Sequence, residues 1–390
     1  MLQNEVRNRA PGGHVPAVIP YILYVAACPY TIYVALRVRF RYTTIWHYLK
    51  FIGKGRMELT RISVDAMGGD NAPAEIIKGT VSAVQNAGDL FVTLVGKEDV
   101  IKSHLSEPVN GRINIVHAEE VIETGEDPLI AIRRKKNSSM LVALSMLKQR
   151  QVDACVSAGS TGAFMSGALF GVGRIKGIER PALAPLLPTL TGCAMLIDCG
   201  ANADCKPEFI VQFAEMGSVY MNRVMGIDRP RVGLLNIGAE EEKGSAVYKE
   251  AHRMLKGSLL NFVGNIEGRD ALDGNVDVIA CDGFAGNILL KTAEGVAMYI
   301  FTLLKKELTA SLPRKLAAAA LKPGLRNVKG KLDYTEYGGA LLLGIDGVAV
   351  KAHGSSNAKA FENAVLQAKT AVDKDVVGSI RQSLISALEG

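Results

Sequence analysis

The sequence predicts an α/β fold: a large, mostly parallel open sheet with helices on both faces, a Rossmann-like three-layer sandwich that carries a helical arm. Three observations predict it. From Arg61 onward, short apolar runs alternate with amphipathic stretches of helical period. Hydrophobic residues make up 48% of the 390 and aromatics only 6%, so the core is aliphatic. The 40 glycines exceed average usage, and many stand where the apolar runs end, the place where ligands of such sheets gather.

Taken in order, the candidate strands are RISVDA (61–66), FVTLVG (91–96), INIVHA (113–118), DACVSAG (153–159), CAMLID (193–198), RVGLLNIG (231–238), NFVGNI (261–266), VDVIACD (276–282), ALLLGI (340–345) and VAVKAHG (348–354). Each is a short, largely aliphatic run. Between them, AEIIKGTVSAVQNAG (74–88), SSMLVALSMLKQ (138–149) and PEFIVQFAEMGSVYMNRVMG (207–226) recur with helical spacing. The first strand runs into Asp65, a Gly68–Gly69 turn, Asp70, and Pro73, which suits a first helical turn.

The net charge of +6 suggests nucleic acid at first sight, but its distribution argues against that partner. Residues 1–56 hold eight Arg or Lys against the single acid Glu5, so the body of the chain is close to neutral. Within that segment, Val15–Leu36 is an uncharged run long enough to cross a bilayer, interrupted by Pro16, Pro20 and Pro29. A membrane anchor is one reading. The preferred one takes Met57 as the natural start, residues 1–56 as an extension or weakly ordered tail, and 57–390 as the α/β domain.

Cys28, Cys155, Cys193, Cys199, Cys205 and Cys281 include no CxxC pair and no zinc-like spacing with histidine. Reduced core thiols at Cys155, Cys193 and Cys281, no metal, no disulfide framework and a cytoplasmic location are therefore expected.

The strand ends share a composition. DAMGGDNAP (65–73), SAGSTGA (157–163), DCGANADCKPE (198–208), NIGAEEEKGS (236–245), CDGFAGN (281–287) and AHGSSNA (352–358) pair glycine with hydroxyl, amide or charged residues. Backbone N–H groups exposed by glycine beside such donors suit an anion such as phosphate. Ordinary turns and caps explain one such loop; six on one rim favour a binding site. No GxxxxGK[ST] loop and no GxSxG elbow occurs, and Gly171-Val-Gly173-Arg-Ile-Lys-Gly177 has the wrong spacing for a dinucleotide fingerprint. His117 and His353 end candidate strands and read first as hydrogen-bonded structural residues. Catalysis by positioning and charge is what these features favour.

VDAMGGDNAP, VSAGSTGAFMSGALFGVGRIKGIERPALAPLLPT, LIDCGAN, EEEKGS, CDGFAGNILLKTAEG and YGGALLLGIDGVAVKAHGSSNAKAFENAV, in this order, closely resemble the bacterial phosphate acyltransferases that begin one route to phosphatidic acid. The resemblance spans Met57 to the C-terminus, and Ser160 stands where that family often carries Asn. It implies transfer of a long-chain fatty acyl group from acyl carrier protein to inorganic phosphate, with no metal or nucleotide cofactor. It also implies a homodimer, peripheral attachment to the membrane, and delivery of acyl phosphate to a downstream glycerol-3-phosphate acyltransferase. A dehydrogenase on a related sheet and a non-catalytic membrane scaffold are the rival classes.

On that resemblance, Lys243 is expected to hold phosphate or meet the developing oxyanion, and Asn287 to donate to the thioester carbonyl, unless Asn287 merely caps a helix. Gly159, Ser160, Thr161, Gly354, Ser355, Ser356 and Asn357 would line a phosphate cradle, joined by Asn202, Gly68 and Gly69. Asp65 and Asp70 are expected to orient the rim, because two carboxylates beside phosphate would repel it unless a cation intervened. The run Arg133, Arg134, Lys135 and Lys136 is the expected docking patch for the acidic carrier protein. The basic, leucine-rich and alanine-rich stretch 303–332 is expected to form an amphipathic arm on anionic lipid, with an oligomer interface as its rival.

Overall fold

The computed structural model describes residues 59–105, 111–332 and 338–389. Residues 1–58, with the Val15–Leu36 run, Cys28 and Met57, lie outside the described residues. The strands divide between two sheets. One has seven strands in the order β3-β2-β1-β4-β12-β11-β5 and the other five, β6-β7-β10-β8-β9.

In the first sheet β1 (Thr60–Asp65), β2 (Leu90–Gly96), β3 (Ile113–His117), β4 (Ala154–Ser157) and β12 (Val348–Lys351) run parallel, while β11 (Ala340–Leu343) and β5 (Ala182–Ala184) are antiparallel additions at one edge. Alternate residues face opposite layers, as the two-residue strand period dictates. Ile62, Val64, Val92 and Leu94 pack against α1 (Ala74–Asn86) and α10 (Ala358–Asp373). Val95, Cys155 and Ala349 pack on the other side against α4 (Ser139–Lys148) and the start of α5 (Thr161–Gly167). Between β2 and α4 lie α2 (Glu98–His104) and α3 (Pro128–Arg134).

The second sheet pairs β7 (Gly192–Ile197), β10 (Val278–Ala280), β8 (Arg231–Asn236) and β9 (Asn261–Glu267) in parallel, with β6 (Leu186–Thr189) antiparallel at its edge. One face meets α6 (Pro207–Arg223) through Phe213, Ala214 and Tyr220, within the core that the two sheets share. The helix α7 (Ala246–Lys256) follows β8.

The division into two sheets departs from the single sheet expected. The cause is the segment 182–189, where β5 joins the first sheet and β6 the second, with only Pro185 between them. Strands this short lack a readable period.

The helical arm begins earlier than 303. Helix α8 (Gly283–Leu308) starts against the second sheet and continues outward, and α9 (Leu312–Leu332) packs back on it. By length and composition alone α8 could cross a membrane. Met298, Tyr299, Ile300, Leu303 and Leu304 are exposed along it, as are Leu312, Leu316 and Leu321 on α9. Helix α11 (Val376–Glu389) closes the described chain.

Candidate active site

A cavity of about 270 Å³ opens at the carboxyl ends of β1, β4 and β12, where the rim loops meet one face of α8. It is lined by polar and backbone-donor residues, among them Asp70, Gly159, Thr161, Lys351, His353 and Gly354, and by apolar ones, Leu183, Pro185, Leu186 and Leu290. Asn287, Leu290, Lys291 and Glu294 all line it from α8. Their spacing of three, four and seven residues puts them on one helical face.

Asp65 stands behind this wall, fully buried at the end of β1. Its two oxygens accept the hydroxyls of Ser139 and Ser157, each at 2.6 Å, and Oδ1 accepts the Met67 N–H at 3.3 Å. Burial pushes its carboxyl above the ordinary carboxylate range, opposed by these donors and by the nearby Lys351 ammonium. Ser157 Oγ also accepts the Gly159 N–H at 3.0 Å, so the carboxylate orients the cradle loop through one intermediary. The Gly68 of the opening turn is required here: a Cβ would lie 2.3 Å from Asp65 Oδ2 and 2.8 Å from Gly159 N. Asp70 occupies the rim itself, tied by its N–H to the Gly354 carbonyl at 2.8 Å.

A second buried carboxylate, Asp198, organises the loop after β7, whose Cys199 lines the cavity. It accepts the N–H groups of Leu183, Cys199, Ala201 and Asn202, and the Asn202 amide at 2.9 Å. Burial raises its pKa, against the effect of those same donors. Helix α8 docks directly on this loop, because Gly286 leaves no side chain between the helix and the Asp198 carbonyl. Asp282 caps α8 by accepting the Ala285 N–H at 2.7 Å, and Tyr248 donates its hydroxyl to the other Asp282 oxygen. The helix therefore starts several residues before Asn287. Asn287 is not the cap; its side chain faces the cavity.

Of the residues expected to form the site, the fold brings Asp70, Gly159, Thr161, Asn287 and Gly354 to the cavity wall. Others serve the frame. Ser160 caps α5 by accepting the Ala163 N–H, and Asn357 caps α10 by accepting the Ala360 N–H. Asn202 spends its amide on Asp198 and the Pro181 carbonyl. Ser356 donates to the His353 carbonyl, and Ser355 pairs with the His353 ring at 2.8 Å. Gly69, with φ of 109°, turns the chain beneath Gly354.

Lys243 differs most from expectation. It is exposed on the loop after β8 and is not among the residues that line the cavity; the Asn236 amide pins that loop by donating to the Lys243 carbonyl. In the basic run, Arg133, Arg134 and Lys136 are exposed, whereas Lys135 is engaged with Glu126 at 2.5 Å and the Val121 carbonyl at 2.7 Å.

Other cavity residues were not among those expected, Lys351, Lys291, Glu294 and His353 among them. Lys351 ends β12, at 7% exposure, and its Nζ donates to the backbone carbonyls of Ala158 and Ala352. Burial pulls its pKa down to about 8, against the opposing pull of Asp65 and Asp70. A lysine inside the otherwise apolar VAVKA was the available signal. Lys291 pairs with Glu294 Oε2 at 2.8 Å, one turn apart on α8, while Glu294 Oε1 is buried without a hydrogen-bond partner. His353 ends the same strand loop as Lys351; burial, then the Lys291 charge, lowers its pKa.

With this geometry in view, relatives become informative. Residues 60–379 match a family described as "Fatty acid synthesis protein". The phosphate acyltransferase of Thermoanaerobacter pseudethanolicus is 53% identical over 326 residues, covering 84% of this chain and 98% of that protein. The chain belongs to the phosphate acyltransferase family. It is an acyltransferase. The phosphate acyltransferase of Bacillus licheniformis is 52% identical over 325 residues, 83% of this chain and 98% of its own length. Among solved structures, a phosphotransacetylase from Streptococcus pyogenes superposes with a TM-score of 0.57 at 15% identity, covering 86% of this chain and 99% of that one. At that identity the likeness speaks to the fold. That structure thus shares an α/β architecture with this chain.

Proposed function

We infer that this acyltransferase moves a long-chain fatty acyl group from the thioester of acyl carrier protein to inorganic phosphate, giving acyl phosphate for phospholipid synthesis. The observation that carries this reading is the mixed lining of the cavity. Glycine loops, Lys351, Lys291 and Asn287 line it together with leucines and a proline. Such a site suits a small anion meeting the end of an apolar acyl arm.

In the reaction a phosphate oxygen attacks the thioester carbonyl carbon. The new C–O bond forms, the C–S bond breaks, and the sulfur leaves as a thiolate that takes up a proton to give free thiol. Phosphate already carries the charge of a nucleophile, so the site need only hold it in line and stabilise the carbonyl oxygen as it gains charge. Asn287 is assigned that donor role by its amide. The Asp65–Ser157–Gly159 chain and the Asp70–Gly354 contact keep the phosphate side open and rigid. Lys243→Ala in the same assay decides whether the exposed lysine adds to the cavity's cations.

Larger partners fit the same picture. Helix α3 packs on α5, whose first residue Thr161 lines the cavity, and its exposed Arg133 and Arg134 suit contact with an acidic carrier protein. The exposed apolar face of α8 and α9 suits peripheral attachment at the cytoplasmic membrane surface, where the insoluble product would be handed to a glycerol-3-phosphate acyltransferase; a second copy of the chain, in a homodimer, would cover part of it.

The test is thiol release from palmitoyl-acyl carrier protein with and without inorganic phosphate, followed by hydroxylamine to trap acyl phosphate. Phosphate-dependent release with a trapped product is expected. Release that ignores phosphate, or none from folded protein across several chain lengths, overturns the assignment.

A further inference from the structure

We propose that Lys351 is the phosphate-binding cation of this site, a lysine held at the floor of the cavity to meet the anionic substrate, with Asp65 as a fixed counter-charge behind it. The proposal rests on the transfer reading above and names a residue for its phosphate half.

An ammonium in a strand core is expensive unless a carboxylate is bonded to it. Among the described residues, no carboxylate forms an ion pair with Lys351; its bonds go to the Ala158 and Ala352 carbonyls. Asp65 is a buried carboxylate whose charge acts on Lys351, yet its two oxygens are already engaged by Ser139 and Ser157. A purely structural role would call for a direct Lys351–Asp65 bond, or for an apolar residue in a strand that otherwise reads Val, Ala, Val.

Geometry gives the alternative. An ammonium has three donors, and two are accounted for by carbonyls that belong to the cradle strands themselves. Those two bonds hold the side chain between the end of β4 and the end of β12, against the wall formed by Gly159 and Gly354. The third donor is left for a ligand in the cavity. Asp65 lends its charge through space without competing for that donor, which keeps the lysine cationic while leaving it available.

The charged groups facing Lys351 agree with this. Asp65 approaches from β1, Asp70 from the loop after β1, Lys291 and Glu294 from α8, and His353 from its own loop. Lys291 is matched by Glu294, and His353 is held below its ordinary pKa, so Lys351 is the cavity cation that no neighbouring carboxylate has claimed by a bond. Its own pKa near 8 means that its charge is lost as pH rises through that value. Phosphate binding should weaken over the same range.

The experiment compares wild type, Lys351→Met and Lys351→Arg by phosphate titration of thiol release, and by the rise in melting temperature that inorganic phosphate confers without an acyl donor. Losing one charge-assisted hydrogen bond to phosphate should raise the KM for phosphate in Lys351→Met by about 10- to 100-fold. The KM for the acyl donor should stay the same, and phosphate should no longer raise the melting temperature. Lys351→Arg, whose guanidinium stays charged, should remove the decline in phosphate affinity above pH 8.

An unchanged KM for phosphate in folded Lys351→Met would overturn the proposal. If Lys351→Met fails to fold, Lys351→Arg decides: a decline that persists at the same pH assigns it to another group. Failure of the transfer reading itself would appear differently, as thiol release by wild type that does not respond to phosphate at all.

Discussion

Replacing Gly286 by alanine should cost both stability and turnover, while the same change at Gly295 on the same helix should do neither. A Cβ at Gly286 would lie 2.0 Å from the Asp198 carbonyl oxygen and 2.9 Å from Cys281 Sγ; a Cβ at Gly295 meets nothing within 4 Å. Alanine favours a helix interior over glycine by roughly 0.5–1 kcal/mol, so that term alone stabilises either variant. At Gly286 it is outweighed, because the opposing atom is backbone in a loop that Asp198 holds through several hydrogen bonds and cannot yield cheaply. Overpacking of this kind costs about 1–3 kcal/mol.

Relief of the clash requires the start of α8 to move by about 1 Å, carrying Asn287 and Lys291 with it, and a displacement of that size can cost on the order of 100-fold in rate. Urea unfolding and thiol-release kinetics on both variants read the two effects. Gly286→Ala should be destabilised by about 1–2 kcal/mol net and about 100-fold slower, and Gly295→Ala should be at least as stable as wild type with full activity. A Gly286→Ala protein with wild-type stability and turnover would refute the close docking of α8 on the Asp198 loop.

Other outcomes follow from the same geometry. Asn287→Ala should lower kcat by about 100-fold or more with little change in the KM for phosphate, as loss of one oxyanion donor does; an unchanged kcat would remove Asn287 from the chemistry. The paired change Arg133→Glu and Arg134→Glu should raise the KM for acyl-carrier protein, most strongly at low salt, and leave a small soluble thioester unaffected; equal effects on both donors would point away from docking. In phosphate-free buffer, Lys351→Met should be more stable than wild type near neutral pH. The folded-state pKa of about 8 lies below the ordinary 10.5, so the unfolded chain binds more protons between those values and wild type gains stability as pH rises through them. The gap, up to about 3 kcal/mol, should therefore narrow across that window in thermal or urea unfolding. Replacing Leu303, Leu304, Leu312 and Leu316 by aspartate should abolish sedimentation with anionic vesicles and spare thiol release in solution; retained vesicle binding would assign that face to another partner.

Much of this protein was determined by its sequence alone, because the relevant signals are local. The aliphatic runs that became β1, β2, β4, β8 and β12 announce strands buried on both faces, and the period of 74–88 and 207–226 announces the helices that cover them. Glycine beside polar residues at the strand ends marked the rim, and five of the residues expected at the site do line the cavity. The tertiary structure alone decided which of those loops meet. Strand order depends on pairings between distant segments, such as β4 with β12, and no period encodes them.

Residues with the same local chemistry were thereby sorted to different ends. Ser160 and Asn357 became caps, Asn202 was spent on Asp198, and Lys243 went to the surface. Lys351, read only as one letter of a strand, reached the cavity floor, where its ammonium meets a carbonyl 193 residues away in the chain. Turn chemistry is written within a few residues and can be read there. A site is an intersection of strand ends and a helix face, and its composition is set only when the sheets are assembled.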